Sequence, residues 1–445
     1  MTSIATEQVS PQTLRKVIVA AGIGNFVEWF DFAVYGFLAT TIAQQFFPSG
    51  DASAALLKTF AVFAVAFAFR PLGGIFFGML GDRIGRKRTL AMTILLMAGA
   101  TTLIGLLPTY AAIGVAAPIL LSLIRCAQGF SAGGEYAGAC AYLMEHAPND
   151  KRAWYGSFIP VSTFAAFASA AVVAYALEAS LSAEAMGSWG WRLPFLIAAP
   201  LGLVGLYLRW KLDETPAFQA VADKHAVAHS PIKETLRNHG AAMCCLGAFI
   251  SLTALSFYMF TTYFATYLQV AGGLSRAMAL LISLIALMFA AVICPLAGLY
   301  SDRVGRRMTM MTAGILLMVA VYPSFLMASS GSFTASIIGV MLLAIGAVLC
   351  NVVTAALLSE TFPTRTRYTA SAITYNLAYT LFGGTAPLVA TWLITTTGSN
   401  LSPAFYLIAV AVLALIGGMA LPETSKISLH DVPSGEKTQG ERAVA

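Results

Sequence analysis

Twelve apolar stretches dominate this sequence of 445 residues. Each is close to the roughly 20 residues that an α-helix needs to cross the hydrocarbon core of a bilayer. Because they leave no room for a large soluble catalytic domain, the chain is expected to be an all-α membrane protein. The stretches lie at 17-40, 56-80, 89-108, 112-140, 155-178, 193-211, 241-268, 277-300, 308-328, 332-358, 368-396 and 402-421.

The composition and the distribution of charge agree with this interpretation. Hydrophobic residues make up 58% of the chain and charged residues 10%, whereas soluble domains carry about 25% charged residues. If the N-terminus is cytoplasmic, the inner connections and both tails hold 21 of the 26 Lys and Arg residues. This is the bias of the positive-inside rule. The net charge of +6 therefore reflects topology, and no nucleic-acid partner is expected.

Other functional classes lack their sequence signatures. The six cysteines lie in apolar runs without a CxxC pair, and no HExxH or phosphate-binding GxxxxGK[ST] motif is present. We therefore expect no metal, no cofactor and no enzymatic activity. The first stretch contains Glu28 and Asp31 and is not followed by a small-residue cleavage pattern, so we expect it to remain as a span rather than to be removed as a signal peptide.

Two motifs recur at nearly the same offset, which indicates an internal repeat. Asp82 and Asp302 lie in similar loops 220 positions apart, and Glu145 and Glu360 begin a Glu-xx-Pro-xxx-Arg motif 215 positions apart. The predicted domains are a tail (1-16), a six-helix bundle (17-211), a polar linker (212-240), a second six-helix bundle (241-421) and a C-terminal tail (422-445).

The pattern G-x-x-x-D-R-x-G-R-R/K, which occurs in both halves, resembles the signature loop of the major facilitator superfamily. GNFVEWFDFAVYGF at 24–37, FRPLGGIFFGMLGDRIGRK at 69–87 and RCAQGFSAGGEY at 125–136 resemble its metabolite:proton symporter family. The resemblance implies twelve transmembrane helices in two six-helix parallel-repeat bundles. It also implies proton symport by alternating access in a bacterial cytoplasmic membrane, with both termini inside. Members carry 2-oxoglutarate, citrate, shikimate, or proline and betaine.

Charged residues at the inner ends of the spans are candidates for gating. Opposite charges there can join the two halves when the inner side is closed and separate when it opens. A plain cluster of topology-setting charges is the alternative. The gating candidates are Asp82, Arg83, Arg86, Glu135, Glu145, Arg152, Asp302, Arg303, Arg306, Glu360 and Arg367.

Two acids within the first span are candidates for proton coupling. Charges inside a membrane are costly and mark function, and Glu28 and Asp31 share roughly one helix face because they are three residues apart. Two carboxylates that lie close together in a low dielectric do not both ionise easily, which suits a proton carrier. The alternative is a structural pair that Arg70 or Arg125 neutralises.

Candidate substrate ligands lie in both halves. Arg125, followed by Gln128, is the leading candidate because a buried guanidinium needs a carboxylate from the protein or from a substrate. A permanent partnership with a first-span acid is its alternative, and Arg70 suits a structural or gating role as well as substrate contact. In the second half, Tyr258, Thr262, Tyr375 and Asn376 offer hydrogen bonds to a substrate, or else to neighbouring helices.

These residues predict a secondary transporter that imports a small carboxylate-bearing metabolite together with protons. Because the arginines supply cationic anchors, a di- or tricarboxylate is the main expectation for the substrate. A zwitterionic osmolyte such as proline or glycine betaine is the alternative. We expect the protein to work as a monomer in the lipid bilayer.

Overall fold

A computed structural model of the chain describes residues 11–48, 51–84, 86–133, 135–211, 231–362 and 367–427. All regular elements in these ranges are helical. Within these ranges, nine helices are long and apolar enough to cross a membrane, and a bent pair of helices at the first predicted span makes a tenth. Two shorter apolar helices, Ala91–Leu106 and Ala116–Ser131, occupy the third and fourth predicted spans. Helices therefore lie at every predicted span, which confirms the all-α fold class.

We number the twelve helical segments α1 to α12. The first half contains α1 (Pro11–Phe37 and Ala39–Phe46), α2 (Ala52–Ala68 and Arg70–Ile84), α3 (Arg86–Leu106), α4 (Ala116–Ser131 and Glu135–His146), α5 (Arg152–Gly156 and Phe158–Ser180) and α6 (Leu193–Lys211). The second half contains α7 (Pro231–Tyr258, Met259–Tyr263 and Phe264–Val270), α8 (Arg276–Val304), α9 (Arg306–Ala328), α10 (Phe333–Glu360), α11 (Arg367–Ala378, Tyr379–Gly383 and Ala386–Thr397) and α12 (Ser402–Ala420). Short helices at Tyr110–Ile113, Ala183–Ser188 and Gly190–Arg192 lie in the connections.

Two of the predicted domain boundaries differ from the observed helices. α1 begins at Pro11, inside the predicted N-terminal tail, and α7 begins at Pro231, inside the predicted linker. In both places polar residues continue the helix beyond its apolar part. A hydropathy pattern locates the membrane-embedded part of a helix but not its polar extension. Residues 212–230 of the linker lie outside the described part.

The helices pack as two groups of six that meet along two seams. In the first group α1 packs on α5, α2 on α4 and α3 on α6, while in the second α7 packs on α12, α8 on α10 and α9 on α10. Between the groups, α5 contacts α8 and α2 contacts α11. This arrangement places α1, α2 and α4 of one half opposite α7 and α11 of the other.

Four of the helices that surround this central region are irregular. α1 bends by 63° between its two parts. α2 is interrupted at Phe69, immediately before Arg70 and Pro71, because proline cannot donate the backbone hydrogen bond that a continuous helix requires. α7 and α11 each contain a π-helical segment, Met259–Tyr263 and Tyr379–Gly383, and such segments are frequent at functional sites.

Glycines bring α2 and α4 into backbone contact. A Cβ atom added at Gly73 would collide with the carbonyl of Phe130, and one added at Gly129 would collide with the carbonyl of Ala66. Small residues allow this close approach of membrane helices. At Gly133 an added Cβ would meet the carbonyl of Arg70, so this contact also sets the depth of the Arg70 side chain between the halves.

Candidate functional site

The candidate site is a layer of charged and aromatic side chains between the two helix groups. Its central residue is Arg70, at the break in α2, whose side chain is fully buried. The guanidinium carbon lies 5.7 Å from the ring centroid of Trp29, 5.6 Å from Phe32 and 5.3 Å from Phe67. Cations within about 6 Å of a ring centroid are attracted by the π face. Arg70 is therefore held in an aromatic cage.

Rings from the second half complete the wall of this cage. Tyr258 lies 5.2 Å from Phe67 and 6.3 Å from Trp29, between ring centroids. Tyr375 stacks on Tyr136 at 4.6 Å and on Tyr379 at 4.0 Å. Because Tyr136 belongs to α4 and Tyr375 to α11, this stack crosses between the halves.

The Trp29 ring is fixed in position by a hydrogen-bond chain to α5. Its Nε1 donates to Oδ1 of Asn25 at 2.9 Å, and Nδ2 of Asn25 donates to the hydroxyls of Ser162 and Thr163 at 2.8 and 2.7 Å. All of these residues except Ser162 are buried. The ring is therefore a rigid wall of the site.

Glu28 is the acidic neighbour of Arg70. Nη2 of Arg70 lies 3.6 Å from Oε1 of Glu28, which is longer than the 2.7–2.9 Å typical of a charge-assisted hydrogen bond. The same Nη2 makes a long contact of 3.4 Å with the carbonyl of Ala132. Glu28 also lines a small cavity inside the first half together with Ser131 and Glu135.

A second buried cluster surrounds Arg125 and Asp31. Nη1 of Arg125 donates to Oε1 of Gln128 at 2.7 Å, and Nε2 of Gln128 donates to the hydroxyl of Thr101 at 2.5 Å. Asp31 lies beside Thr101 and within electrostatic range of Arg125. The Arg125 guanidinium lies 4.1 Å from the ring centroid of Tyr35. The rings around the Arg125 guanidinium, Phe32, Tyr35 and Phe63, belong to the first half, and Tyr258 of the second half also lies within electrostatic range of Arg125.

Buried donors in this layer lack acceptors. Among the described residues, Nε and Nη1 of Arg70, Nε and Nη2 of Arg125, and the hydroxyl of Tyr258 have no hydrogen-bond partner. Leaving such groups unsatisfied in a buried site costs free energy. An anionic group placed between the halves would satisfy them.

The other predicted ligands of the second half contact neighbouring helices. Nδ2 of Asn376 donates to the carbonyl of Gly133 on α4 at 2.7 Å, the kind of helix–helix bond considered as its alternative role. Thr262 lies in the π segment of α7, and its methyl group would contact a Cβ atom added at Gly36 of α1. Both residues therefore lie where the halves meet.

At the helix ends that are predicted to be the inner ones, the halves are joined by a buried ionic cluster around Glu360. Nε of Arg152 lies 3.1 Å from Oε1 of Glu360, and Nη2 of Arg306 lies 2.9 Å from the same oxygen. Nη1 of Arg306 also contacts Asp302 at 2.9 Å. The two oxygens of Asp302 accept hydrogen bonds from the backbone N–H groups of Ala153 and Trp154 at 3.0 and 2.9 Å. Three predicted gating residues of the second half therefore meet Arg152 and the start of α5 in the first half.

The predicted C-terminal tail contributes its first residues to this cluster. The Thr424 hydroxyl donates to Oε2 of Glu360 at 2.7 Å, and Arg152 donates to the carbonyl of Ile427 at 2.7 Å. Glu423 accepts from the N–H groups of Arg306 and Arg307 at 2.9 and 3.0 Å. Partial burial raises the pKa of Glu423, but these backbone hydrogen bonds outweigh it and hold the pKa below its usual range. Glu423 is therefore ionised at neutral pH.

Not every gating candidate lies in the cluster. Arg303 is exposed, and Glu135 lines the cavity shared with Glu28 inside the first half. The remaining candidates fall outside the described side chains, and these are Asp82, Arg83, Arg86, Glu145 and Arg367.

Sequence reasoning missed two parts of the site. The cage rings Trp29, Phe32 and Phe67 were not predicted, although Trp29 and Phe32 alternate with the two acids in the run EWFDF. An ion pair at the side predicted to be the outer one, Arg276 with Glu178 at 3.4 Å, was also missed. It is half-buried, and neither residue belongs to a repeated motif. This pair joins α5 to α8, so both ends of the molecule carry links between the halves.

Comparisons with known protein families and solved structures agree with this fold. A sequence profile of the Major Facilitator Superfamily matches residues 21–374 and 273–443. The chain belongs to the major facilitator superfamily, a family of transporters rather than of enzymes. Among solved structures, the proton:xylose symporter XylE bound to 6-bromo-6-deoxy-D-glucose superposes with a TM-score of 0.77. That match covers 95% of this chain and 99% of the other at 17% identity, which establishes the shared fold alone.

Relatives found by sequence share a much higher fraction of identical residues with this chain than the solved structure does. A proline/betaine transporter of Salmonella typhimurium is 40% identical over 422 residues, 93% of this chain and 84% of the relative. A glycine betaine/proline/ectoine/pipecolic acid transporter of Dickeya dadantii is 39% identical over 422 residues, with the same coverage of both chains. An ectoine/proline transporter of Corynebacterium glutamicum is 36% identical over 432 residues, 94% of this chain and 86% of the relative. The protein is a multi-pass membrane transporter, and these relatives favour the osmolyte alternative over the di- or tricarboxylate expectation.

Proposed function

We propose that this protein imports zwitterionic osmolytes of the proline, glycine betaine and ectoine class, driven by an inward proton gradient. The observation that carries the proposal is the pair of buried arginines with unsatisfied guanidinium N–H groups in a layer walled by rings of both halves. The arginines suit a substrate carboxylate, and the rings suit a substrate ammonium. The names of the relatives agree with this class.

Proton coupling is assigned to Asp31, with Arg125 as its partner. Asp31 is 1% exposed, and Arg125 lies within electrostatic range of it. When a proton neutralises Asp31, Arg125 loses that attraction, and its interactions with Gln128 and with the rest of the layer change. The proposal thus chooses Asp31 over Glu28, a choice that the sequence alone leaves open.

Gating at the inner side is assigned to the Glu360 cluster. In this proposal the protein lies in the bacterial cytoplasmic membrane with both termini inside, and Arg152 and the start of α5 separate from Asp302 and Glu360 whenever the inner side opens. Because the cluster is buried, opening must hydrate its charges. Such a two-state contact is what alternating access requires.

Two buried arginines would also suit a dicarboxylate, so this remains the second candidate. Counterflow in proteoliposomes decides between them, using glycine betaine, proline, ectoine, 2-oxoglutarate and citrate as internal substrates. We expect exchange with the zwitterions and not with the two organic acids. The opposite pattern would overturn the osmolyte proposal. Uptake that a sodium gradient drives, with no response to a protonophore, would overturn the assignment of the proton as the coupling ion.

A further inference from the structure

Arg70 and Glu28 form a buried ion pair that is close but not hydrogen-bonded. Their side chains are 0% and 4% exposed, and the nearest approach is 3.6 Å. Two N–H groups of Arg70 have no partner among the described residues, and the guanidinium is instead surrounded by three rings. In a buried pair with such loose geometry, the attraction between the two charges offsets little of the free energy that their removal from water costs. It is therefore suited to exchanging its partners during the transport cycle.

The pair has the charge pattern of a zwitterion. One positive and one negative group lie a few ångströms apart in an apolar, aromatic surrounding, as do the ammonium and carboxylate of an amino acid or betaine. A zwitterion inserted head to tail would give each protein charge a new partner. The layer would remain neutral before and after binding.

On the basis of the proposed function, we propose that Arg70 and Glu28 form a two-point subsite that selects zwitterions. Arg70 binds the substrate carboxylate, and Glu28 binds the cationic end together with the faces of Trp29 and Phe67. Without substrate the two residues neutralise each other, so the empty carrier buries no unpaired charge in this subsite. Asp31 and Arg125, which form a separate cluster with Gln128 and Thr101, remain available for the proton.

This subsite would reject ions that carry a single charge. An anion with the shape of betaine would bind Arg70 and take this cation away from Glu28 without replacing it. A cation would take Glu28 away from Arg70 in the same way. Removing one partner from a buried ion pair is strongly unfavourable, so the selectivity is achieved by repulsion and desolvation as much as by attraction.

The test compares glycine betaine with 3,3-dimethylbutanoate, the anion in which carbon replaces the quaternary nitrogen. Binding to purified protein in nanodiscs is measured by calorimetry at one pH. We expect the wild type to prefer betaine at least tenfold, and Glu28→Gln to lower that preference tenfold or more. Glu184→Gln, the same change at an exposed residue outside the site, should keep the wild-type ratio.

The mirror experiment uses choline, a cation without a carboxylate. Arg70→Gln should lower the preference for betaine over choline by a similar factor. Unchanged ratios in either monodisperse variant would overturn the subsite. If neither variant folds, the wild type still decides, because equal affinity for betaine and for either singly charged analogue would also overturn it. Failure of the proposed function has a different signature, namely wild-type protein that binds none of betaine, proline and ectoine.

Discussion

Glu28 and Asp31 are three residues apart on α1, yet they have different neighbours. Glu28 pairs with Arg70 of α2, whereas Asp31 lies beside Thr101 of α3 and near Arg125 of α4. Two adjacent acids that share one helix face can therefore serve separate functions. One is placed against Arg70 and the rings that meet the second half, and the other against Thr101 and Arg125 of the first half.

Replacing Asp31 by asparagine tests this division. Asp31→Asn should abolish accumulation driven by a pH gradient, with a reduction of at least tenfold, because the amide cannot carry a proton. Counterflow of betaine should persist, since exchange needs no net proton movement. Uptake and counterflow in the same proteoliposomes supply both readouts. Proton-driven accumulation at the wild-type level would remove Asp31 from the coupling mechanism.

Arg125 provides the second prediction at this scale. Arg125→Lys should lose most transport while the protein still reaches the membrane, because a point charge cannot contact Gln128 and face the Tyr35 ring with the planar geometry of a guanidinium. Substrate-binding isotherms separate the two possible roles. Near-normal affinity with lost transport identifies Arg125 as the coupling partner of Asp31, whereas lost affinity places it in the substrate site.

At the scale of elements, the α2–α4 contact positions the site. Gly73 and Gly129 let the backbones of the two helices touch, and the break at Phe69 places Arg70 beside α4. Repacking this contact would move Arg70 relative to the rings that surround it. The geometry of the cage is therefore a property of helix packing as much as of the caged residue.

A methyl group added at this contact should damage both stability and binding. Gly129→Ala places a Cβ against the carbonyl of Ala66, and overpacking of this kind typically costs about 1–3 kcal/mol. Thermal unfolding in detergent should show a clearly lower midpoint, accompanied by weaker betaine binding. Gly99→Ala on α3 is the matched control, because nothing lies within 4 Å of its added Cβ. Equal midpoints for the two variants would contradict this packing role.

The elements show why some features could be predicted from sequence and others could not. The spans follow from hydropathy because each must cross an apolar layer. The position of Asp302 and Glu360 at helix ends follows from the repeated motifs. The pairing of Glu28 with Arg70 does not follow, since spacing along α1 fixes a helix face but not the helix packed against it. Likewise, the contribution of Glu423 and Thr424 depends on where α12 ends in space, which composition does not encode.

At the scale of the whole molecule, contacts join the halves at both ends. The inner cluster is buried and involves both halves as well as the tail, whereas the outer pair of Arg276 and Glu178 is 22% and 21% exposed. Partly exposed pairs contribute less to stability than well-formed buried ones. Under the proposed gating, we therefore expect opening of the outer side to be the smaller change and the inner cluster to dominate the balance between the two orientations.

This balance gives the last prediction, which concerns Asp302. Asp302→Asn removes the charge that accepts hydrogen bonds from the start of α5 and pairs with Arg306. The inward-open fraction should rise, and a bias of about 1.4 kcal/mol would change the ratio of the two orientations tenfold. Spin labels at the exposed positions Asn149 and Met308 report the inner separation of the halves.

The labelling requires a background in which Cys126, Cys244 and Cys245 are serine, because the other three cysteines are buried. Glu184→Gln, an acid-to-amide change away from the inner cluster, is the control and should leave the distance distribution unchanged. In Asp302→Asn the longer distances should gain population while the equilibrium affinity for betaine in the occupied state stays within a few fold of the wild type. An unchanged distribution together with a large loss of affinity would move Asp302 from gating to substrate binding, and the inner cluster would no longer account for the closed inner side.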